Sequence, residues 1–138
     1  MAGNAFIIRR ASEEDACAIK EIMQESFGKY IKDAGLPATL EALNESCEDI
    51  VSDIKNKYVF VAVMGPEAIG SVRVEILPDN TAYIMRFGVR IAYQNIGVGK
   101  SLMSAVDQLL TSKGVKKAYL HTASKNFDLV RFYYGMGF

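Results

Sequence analysis

A chain of 138 residues that is 50% hydrophobic and 23% charged has the size and balance of one globular domain, which excludes disordered, collagen-like and coiled-coil proteins. Lys+Arg 16 against Asp+Glu 16 leave no net charge, so the basic surplus that drives nucleic-acid binding is missing. Two cysteines and a single histidine cannot assemble a zinc site, and no stretch approaches the roughly 20 apolar residues of a membrane span. Met1 to Phe6, ahead of Arg9 and Arg10, is too short for a secretory signal. The expectation is therefore a soluble cytoplasmic protein with no metal, in which Cys17 and Cys47 are free thiols serving as small core residues.

Residues 1–138 read as one domain, because no linker or repeat interrupts them and Pro37, Pro66 and Pro78 all stand where elements change. Ala5 to Arg10 is a short β-like run. Ser12, followed by Glu13, Glu14 and Asp15, supplies an N-cap with acidic residues at the positive end of a helix dipole. Ile19, Ile22, Met23 and Phe27 then keep helical spacing to about Tyr30. After Gly35-Leu36-Pro37, the segment to Lys57 carries a second helical stripe, with Glu41, Glu45, Glu48, Asp49 and Asp53 on an acidic face that is expected to be solvated, the alternative being attraction of a cationic amine. From Tyr58 the period changes to that of strands, and tight turns at Gly65-Pro66-Glu67 and Pro78-Asp79-Asn80 predict three antiparallel neighbours ending at Val89. A helix from Gly97 to Lys113, a strand from Val115 to Thr122 and a last helix from Asn126 to Met136 complete the order β α α β β β α β α. This is an α+β sandwich around a mixed, mainly antiparallel sheet.

The segment that carries chemistry runs from Phe87 to Met103: a strand, a short loop with Gly97 and Gly99, and at once an amphipathic helix. The unpaired N–H groups of a helix start converge on one spot with the dipole behind them, and glycines let a ligand approach the backbone, so the turn predicts a pyrophosphate cradle. Gly99-Lys100-Ser101 also matches the end of a P-loop. That motif needs a glycine where Gln94 stands, and a parallel βαβ unit, whereas the strand here sits beside a hairpin. The dinucleotide fingerprint fails as well, because its third glycine is replaced by Leu102.

Gln94, Gly97 and Gly99 do fit Q/R-x-x-G-x-G/A, and Asn126 to Phe138 fits N-x-x-A-x-x-F-Y-x-x-x-G-F, with Leu129 in place of alanine and with Phe132, Tyr133, Gly137 and Phe138 in register. With these two motifs and the element order, the whole chain resembles the GNAT superfamily of N-acetyltransferases. The resemblance implies a GNAT-like fold and transfer of an acetyl group from acetyl-CoA to a primary amine by direct attack in a ternary complex. It implies that the strands matching Thr81 to Val89 and Val115 to Thr122 splay apart. The backbone of Phe87 and Val89 would then pair with pantetheine, while the loop of Gln94, Asn95, Ile96, Gly97, Val98, Gly99 and Lys100 holds the pyrophosphate. Asn126 would bond the pantetheine arm, and Tyr133 would act as general acid for the leaving thiolate.

Two departures from the family pattern stand out. Where many members carry an acidic base, this chain has Tyr83 and Met85, which leaves Glu75 on the adjacent strand as the candidate base, unless it simply faces solvent. The chain also stops at Phe138, where the family normally continues with further strands. The Val115 to Thr122 strand is therefore expected to have a bare edge: either the sequence is cut short of the final strands, or a partner subunit, as in a homodimer, covers the edge, or those strands are dispensable. Arg86 and Arg90 flank the loop and face either cofactor phosphates or solvent. His121 ends a strand and reads as structural. The acceptor, a small-molecule or peptide amine, would be chosen by the Gly28 to Thr39 region. The competing readings are a non-catalytic acyl-CoA-binding or regulatory module and, third, a P-loop nucleotide hydrolase.

Overall fold

The structure is a computed structural model that describes residues 5–34, 44–121 and 129–133, the side chains of 29–34, 121 and 129–133 excepted. Strand β1 (Ile7–Arg10) leads through a 3-10 turn (Glu13–Asp15) into helix α1 (Ala16–Ala34), and helix α2 spans Cys47–Asn56. Strands β2 (Tyr58–Met64), β3 (Glu67–Ile76) and β4 (Thr81–Val89) follow as a meander, succeeded by a 3-10 turn (Ile91–Tyr93) and helix α3 (Val98–Ser112). Strands β5 (Lys117–His121) and β6 (Leu129–Tyr133) complete a sheet ordered β1-β2-β3-β4-β5-β6, antiparallel throughout except for the parallel pair β4–β5.

The helices start and stop for local reasons. At α2 the Ser46 hydroxyl accepts from the Asp49 N–H (3.0 Å) and the Asp49 carboxylate accepts from the Ser46 N–H (2.9 Å), so two of the helix's orphan donors satisfy each other's side chains. The helical stripe expected between Pro37 and Lys57 is interrupted there: Asn44 is helical, Glu45 and Ser46 are not, and α2 begins at Cys47, while residues 35–43 lie outside the described residues. Gly114 ends α3 at φ 71°, in the left-handed region open to glycine.

Alternate residues of a strand face opposite sides of a sheet, and here each side has its own helices. Phe60, Ala62, Val72, Val74 and Ile84 pack against Val98, Leu102, Val106 and Leu110 of α3. Val59 and Val61 pack instead against Ile19, Ile22 and Met23 of α1 and Ile50 of α2. Each fully buried aliphatic side chain contributes about 2 kcal/mol, so the four from α3 hold that helix to the sheet along its length. Gly70 lets it come close. A Cβ there would stand 3.1 Å from both Val98 and Leu102.

Two sequence expectations are corrected by the structure. The last helix, read over Asn126 to Met136, is over Leu129–Tyr133 a strand paired antiparallel with β5, from His121↔Leu129 to Lys117↔Tyr133. Val130, Phe132 and Tyr133 favour extended backbone, and the open row of N–H and C=O groups on β5 gives them a ladder to join. The expected bare edge of β5 is thus occupied by the chain's own residues. Nor are Cys17 and Cys47 free thiols: they form a disulfide. Packing of α1 on α2 through Ile19, Ile22 and Ile50 brings their Cα atoms to 5.1 Å, within the distance a disulfide spans. Among the described residues no helix is long and apolar enough to cross a membrane, and no cluster of metal-ligating side chains forms.

Candidate functional site

The site is built where β4 loses its partner. β4 and β5 pair from Thr81↔Lys117 to Ile84↔Leu120, and among the described residues the ladder goes no further, although β4 continues to Val89. A bulge sits at the same place. Arg73 faces Met85 and Ser71 faces Gly88, so Arg86 and Phe87 together oppose Val72, and Arg86 takes φ 53°.

The bulge changes which way side chains point. Before it, Ala82 and Ile84 face α3; after it Phe87 and Val89 do so, while Gly88 is turned to α1, where a Cβ would collide with Ser26 Oγ and Met23 Cε. Without the extra residue, Phe87 and Val89 would lie on the opposite face. Peptide groups alternate as well. The Arg90 N–H donates to Ile69 O on β3 (2.8 Å), so the N–H and C=O of Val89, and those of Phe87 two residues earlier, point to the edge that β5 leaves open.

Residues 94–100 close over this edge. Asn95 (φ 69°) and Gly97 (φ 93°) are left-handed, and the Gly97 carbonyl accepts the first helical bond of α3 from Ser101 N–H (3.0 Å). The N–H groups of Val98, Gly99 and Lys100 therefore have no partner within the helix and stand at its positive end. Gly99 rests on the Phe87 ring, and a Cβ there would stand 2.9 Å from Phe87 Cζ. Gln94 braces the loop, its side-chain amide donating to Val89 O (3.1 Å).

The loop's first residues are clamped to α1. Arg90, which flanks the loop, is turned back on the protein: its Nε donates to Ala68 O (2.8 Å), and its guanidinium pairs with Glu21 (3.1 Å), Glu25 (3.4 Å) and Glu67 (3.6 Å). The Ile91 N–H donates to the Glu25 carboxylate. Tyr93 donates to Glu67 (2.9 Å), an acceptor that raises its phenol above the usual range.

On the α1/α2 face of the bulge lies a cavity of ≈ 460 Å³, lined in part by Glu45, Asp53, Lys57, Met85 and Arg86. Its acids are engaged. Arg73, 0% exposed, projects from β3 and holds Glu45 through two bonds (2.9 Å each) and Asp53 through a third (2.8 Å). Arg86 approaches Glu45 at 3.3 Å and Lys57 approaches Asp53 at 3.3 Å. The acidic face of the second helical segment, expected to be solvated, instead turns these two members inward. A buried arginine 20 and 28 residues from its partners leaves no local pattern, and in the sequence Ser71 and Arg73 alternate with Val72 and Val74 as the polar side of a strand does.

Of the other candidates, Glu75 is on this same face, opposite Tyr83, which stacks on Tyr119 (5.4 Å between centroids). The residues lining the cavity do not include Glu75. Tyr133 is opposite Lys117, at the end of β5 away from the gap, and its side chain is outside the described residues. So are Asn126 and the side chain of His121.

A six-stranded mixed sheet that opens beside a bulged strand, with a glycine turn at a helix start above the opening, is the framework of an acyltransferase domain. The acetyltransferase (GNAT) family profile matches residues 18–138, and the chain belongs to that family. Solved structures share the fold. The PaiA N-acetyltransferase of Thermoplasma acidophilum, solved with coenzyme A, superposes with a TM-score of 0.77 at 21% identity, covering 88% of this chain and 82% of that one. An aminoglycoside acetyltransferase from an uncultured soil metagenomic sample, solved with sisomicin, gives 0.65 at 23% identity over 91% and 82%. The ribosomal-protein-S18-alanine N-acetyltransferase of Escherichia coli gives 0.67 at 17% identity over 88% and 70%.

Proposed function

We propose that this protein transfers an acetyl group from acetyl-CoA to a primary amine, by direct attack of the amine within a ternary complex. The observation that carries the reading is the coincidence of the open β4 edge with the left-handed glycine turn at the start of α3. A diphosphate fits the converging N–H groups of Val98, Gly99 and Lys100, and an amide-bearing arm fits the backbone of Phe87 and Val89. Gln94, Asn95 and Ile96 complete the loop that would enclose the diphosphate, and the family resemblance adds Asn126 on the arm. The donor would supply an activated acyl thioester.

The chain's own residues supply position and proton handling. The bulge at Arg86 and Phe87 places the arm-binding backbone and the cavity side by side, so an acceptor lying along Met85 and Arg86 reaches the open edge directly. Glu45 and Asp53 already accept from guanidinium and ammonium groups, so their oxygens are engaged within the protein. Deprotonation of the amine is assigned to Glu75, the remaining carboxylate of β3 on that face. Protonation of the departing sulfur is assigned to Tyr133 on the motif alone, since the register opposite Lys117 does not bring it to the gap. The acceptor would be a small-molecule or peptide amine. A cytoplasmic setting belongs to the same proposal, because that is where acetyl-CoA is supplied.

Calorimetric titration with acetyl-CoA, with ATP and Mg²⁺ as control, tests the donor, and an amine panel tests turnover. Micromolar acetyl-CoA binding, no ATP signal and amine-dependent release of CoA are expected. Binding without turnover for any amine would support the non-catalytic acyl-CoA-binding module, a reading favoured by the engagement of Glu45 and Asp53. Binding of ATP alone would overturn both.

A further inference from the structure

We infer that the Cys17–Cys47 disulfide is a reversible clasp that sets the wall of the cavity beside the β4 bulge, so that thiol–disulfide exchange regulates the acceptor side of the proposed acetyltransferase. The inference rests on that functional reading for its catalytic consequence alone; the clasp itself is a matter of geometry.

Residues 44–47 are held at two points. One is covalent, the Cys17–Cys47 bond from the first turn of α1 to the first residue of α2. The other is ionic, Glu45 gripped by the buried Arg73 and approached by Arg86 on the bulge. Between the two stands Ser46, the cap of α2. Glu45 lines the cavity together with Met85 and Arg86, so a shift of this short segment moves one wall of the space an acceptor would occupy. The opposite end of α2 is held through Asp53 to the same buried Arg73, and Ile50 stays in the core, so opening the clasp loosens the helix start without unfolding the helix.

The bond is also reachable. Cys17 is exposed and Cys47 half-buried, whereas a staple protected from exchange would be sealed in the core. In exchange with glutathione, a thiolate attacks the Cys17 sulfur, the S–S bond breaks, and Cys47 leaves as a thiolate and takes a proton. A second glutathione thiolate then attacks the glutathione sulfur of the mixed disulfide, returning Cys17 as a thiol and leaving oxidised glutathione. Two electrons pass to the protein and one S–S bond replaces another. The donor side shares none of these contacts: the loop at 94–100 is braced by Gln94 and by Arg90 on α1.

The test uses the full chain equilibrated across a series of reduced to oxidised glutathione, with Cys17→Ser as a variant fixed in the open form. Three readouts are taken: alkylation of thiols by intact mass, amide hydrogen exchange over 44–56, and, for the active protein, KM values for amine and for acetyl-CoA. Both thiols are expected to appear together within the series, with faster exchange at 44–50. KM for the amine should rise by roughly fivefold or more while acetyl-CoA binding stays within about twofold, the size usual for coupling between neighbouring sites. Cys17→Ser should copy the reduced form and ignore glutathione. A bond that stays closed across the whole series, or one that opens with exchange at 44–50 unchanged, overturns the proposal. If exchange responds as expected but neither form turns over any amine, the clasp stands and the acetyltransferase reading fails.

Discussion

The two faces of the sheet are built on different principles. Toward α3 the interior is wholly apolar, and the site above it is made of backbone: the peptide groups of Phe87 and Val89, and the N–H groups at a helix start. Toward α1 and α2 the sheet buries Ser71 and Arg73, and the cavity beside the bulge is walled in part by charged side chains from positions 45, 49, 53, 57 and 86, two of them held from behind by Arg73. Apolar packing and backbone donors make a rigid cradle that any chain with the right glycines can reproduce. An ion cluster around a buried guanidinium is costly to desolvate and adds little net stability, but it fixes one arrangement of α2 against β3 and β4. The proposed donor side is thus built of backbone and apolar packing, and the proposed acceptor side of side-chain charge.

The sharpest way to break the proposed donor side is Gly99→Glu. The side chain would start 2.9 Å from Phe87 Cζ and add a negative charge where the cradle would receive a diphosphate. Acetyl-CoA affinity measured by calorimetry should fall by more than about 10²-fold, since a like charge and lost donors act together. Unchanged affinity would place the phosphates elsewhere. On the proposed acceptor side, Arg73→Met strands Glu45 and Asp53 without their buried partner and should cost about 3–5 kcal/mol in denaturant unfolding. Adding Glu45→Gln and Asp53→Asn should recover much of that loss. A single variant as stable as the parent would mean the cluster contributes nothing to holding α2.

The same division decides what could be read in the sequence. The glycine turn was legible because Gly97 and Gly99 are tied to one spot by chain neighbours, and the meander was legible because tight turns leave no other pairing. The bulge was not, since an extra residue in a strand leaves only a change of phase between Ile84 and Phe87, masked here by apolar side chains on both sides of it. Arg73, Glu45 and Asp53 looked like solvated positions of their own elements, and only the tertiary fold joins them. The Cys17–Cys47 pairing depends likewise on how two helices pack. The stretch Leu129 to Tyr133 shows a third kind of case, in which the alternation of elements along the chain argues for a helix and residue preference argues for the strand that forms.

That stretch also bears on the proposed chemistry, because the motif gives Tyr133 the general-acid role while its register opposite Lys117 sets it at the far end of β5 from the gap. Tyr133→Phe removes one hydroxyl and no bulk. If the motif assigns Tyr133 correctly, kcat should fall about 10²-fold with CoA affinity kept, the usual size for loss of a general acid. An unchanged kcat would leave Leu129 to Tyr133 as an edge strand and hand the proton to solvent.

The smallest expected effect separates the cap of α2 from the ion cluster a few residues away. Ser46 N–H and hydroxyl hold the Asp49 carboxyl below its ordinary value, chiefly through the backbone bond. A carboxyl depressed in the folded state stabilises it above the unfolded value, near pH 4, and that contribution is lost as pH falls through the lower folded value. Ser46→Ala removes only the hydroxyl, so it should cost about 1 kcal/mol for the cap at neutral pH. It should also make the acid limb of the stability profile slightly shallower, because part of what lowers Asp49 has gone. Arg73 and Lys57 touch Asp53 rather than Asp49, so the two perturbations should add. A Ser46→Ala, Arg73→Met double variant whose loss falls well short of the sum would show that the cap and the cluster hold the start of α2 as one unit.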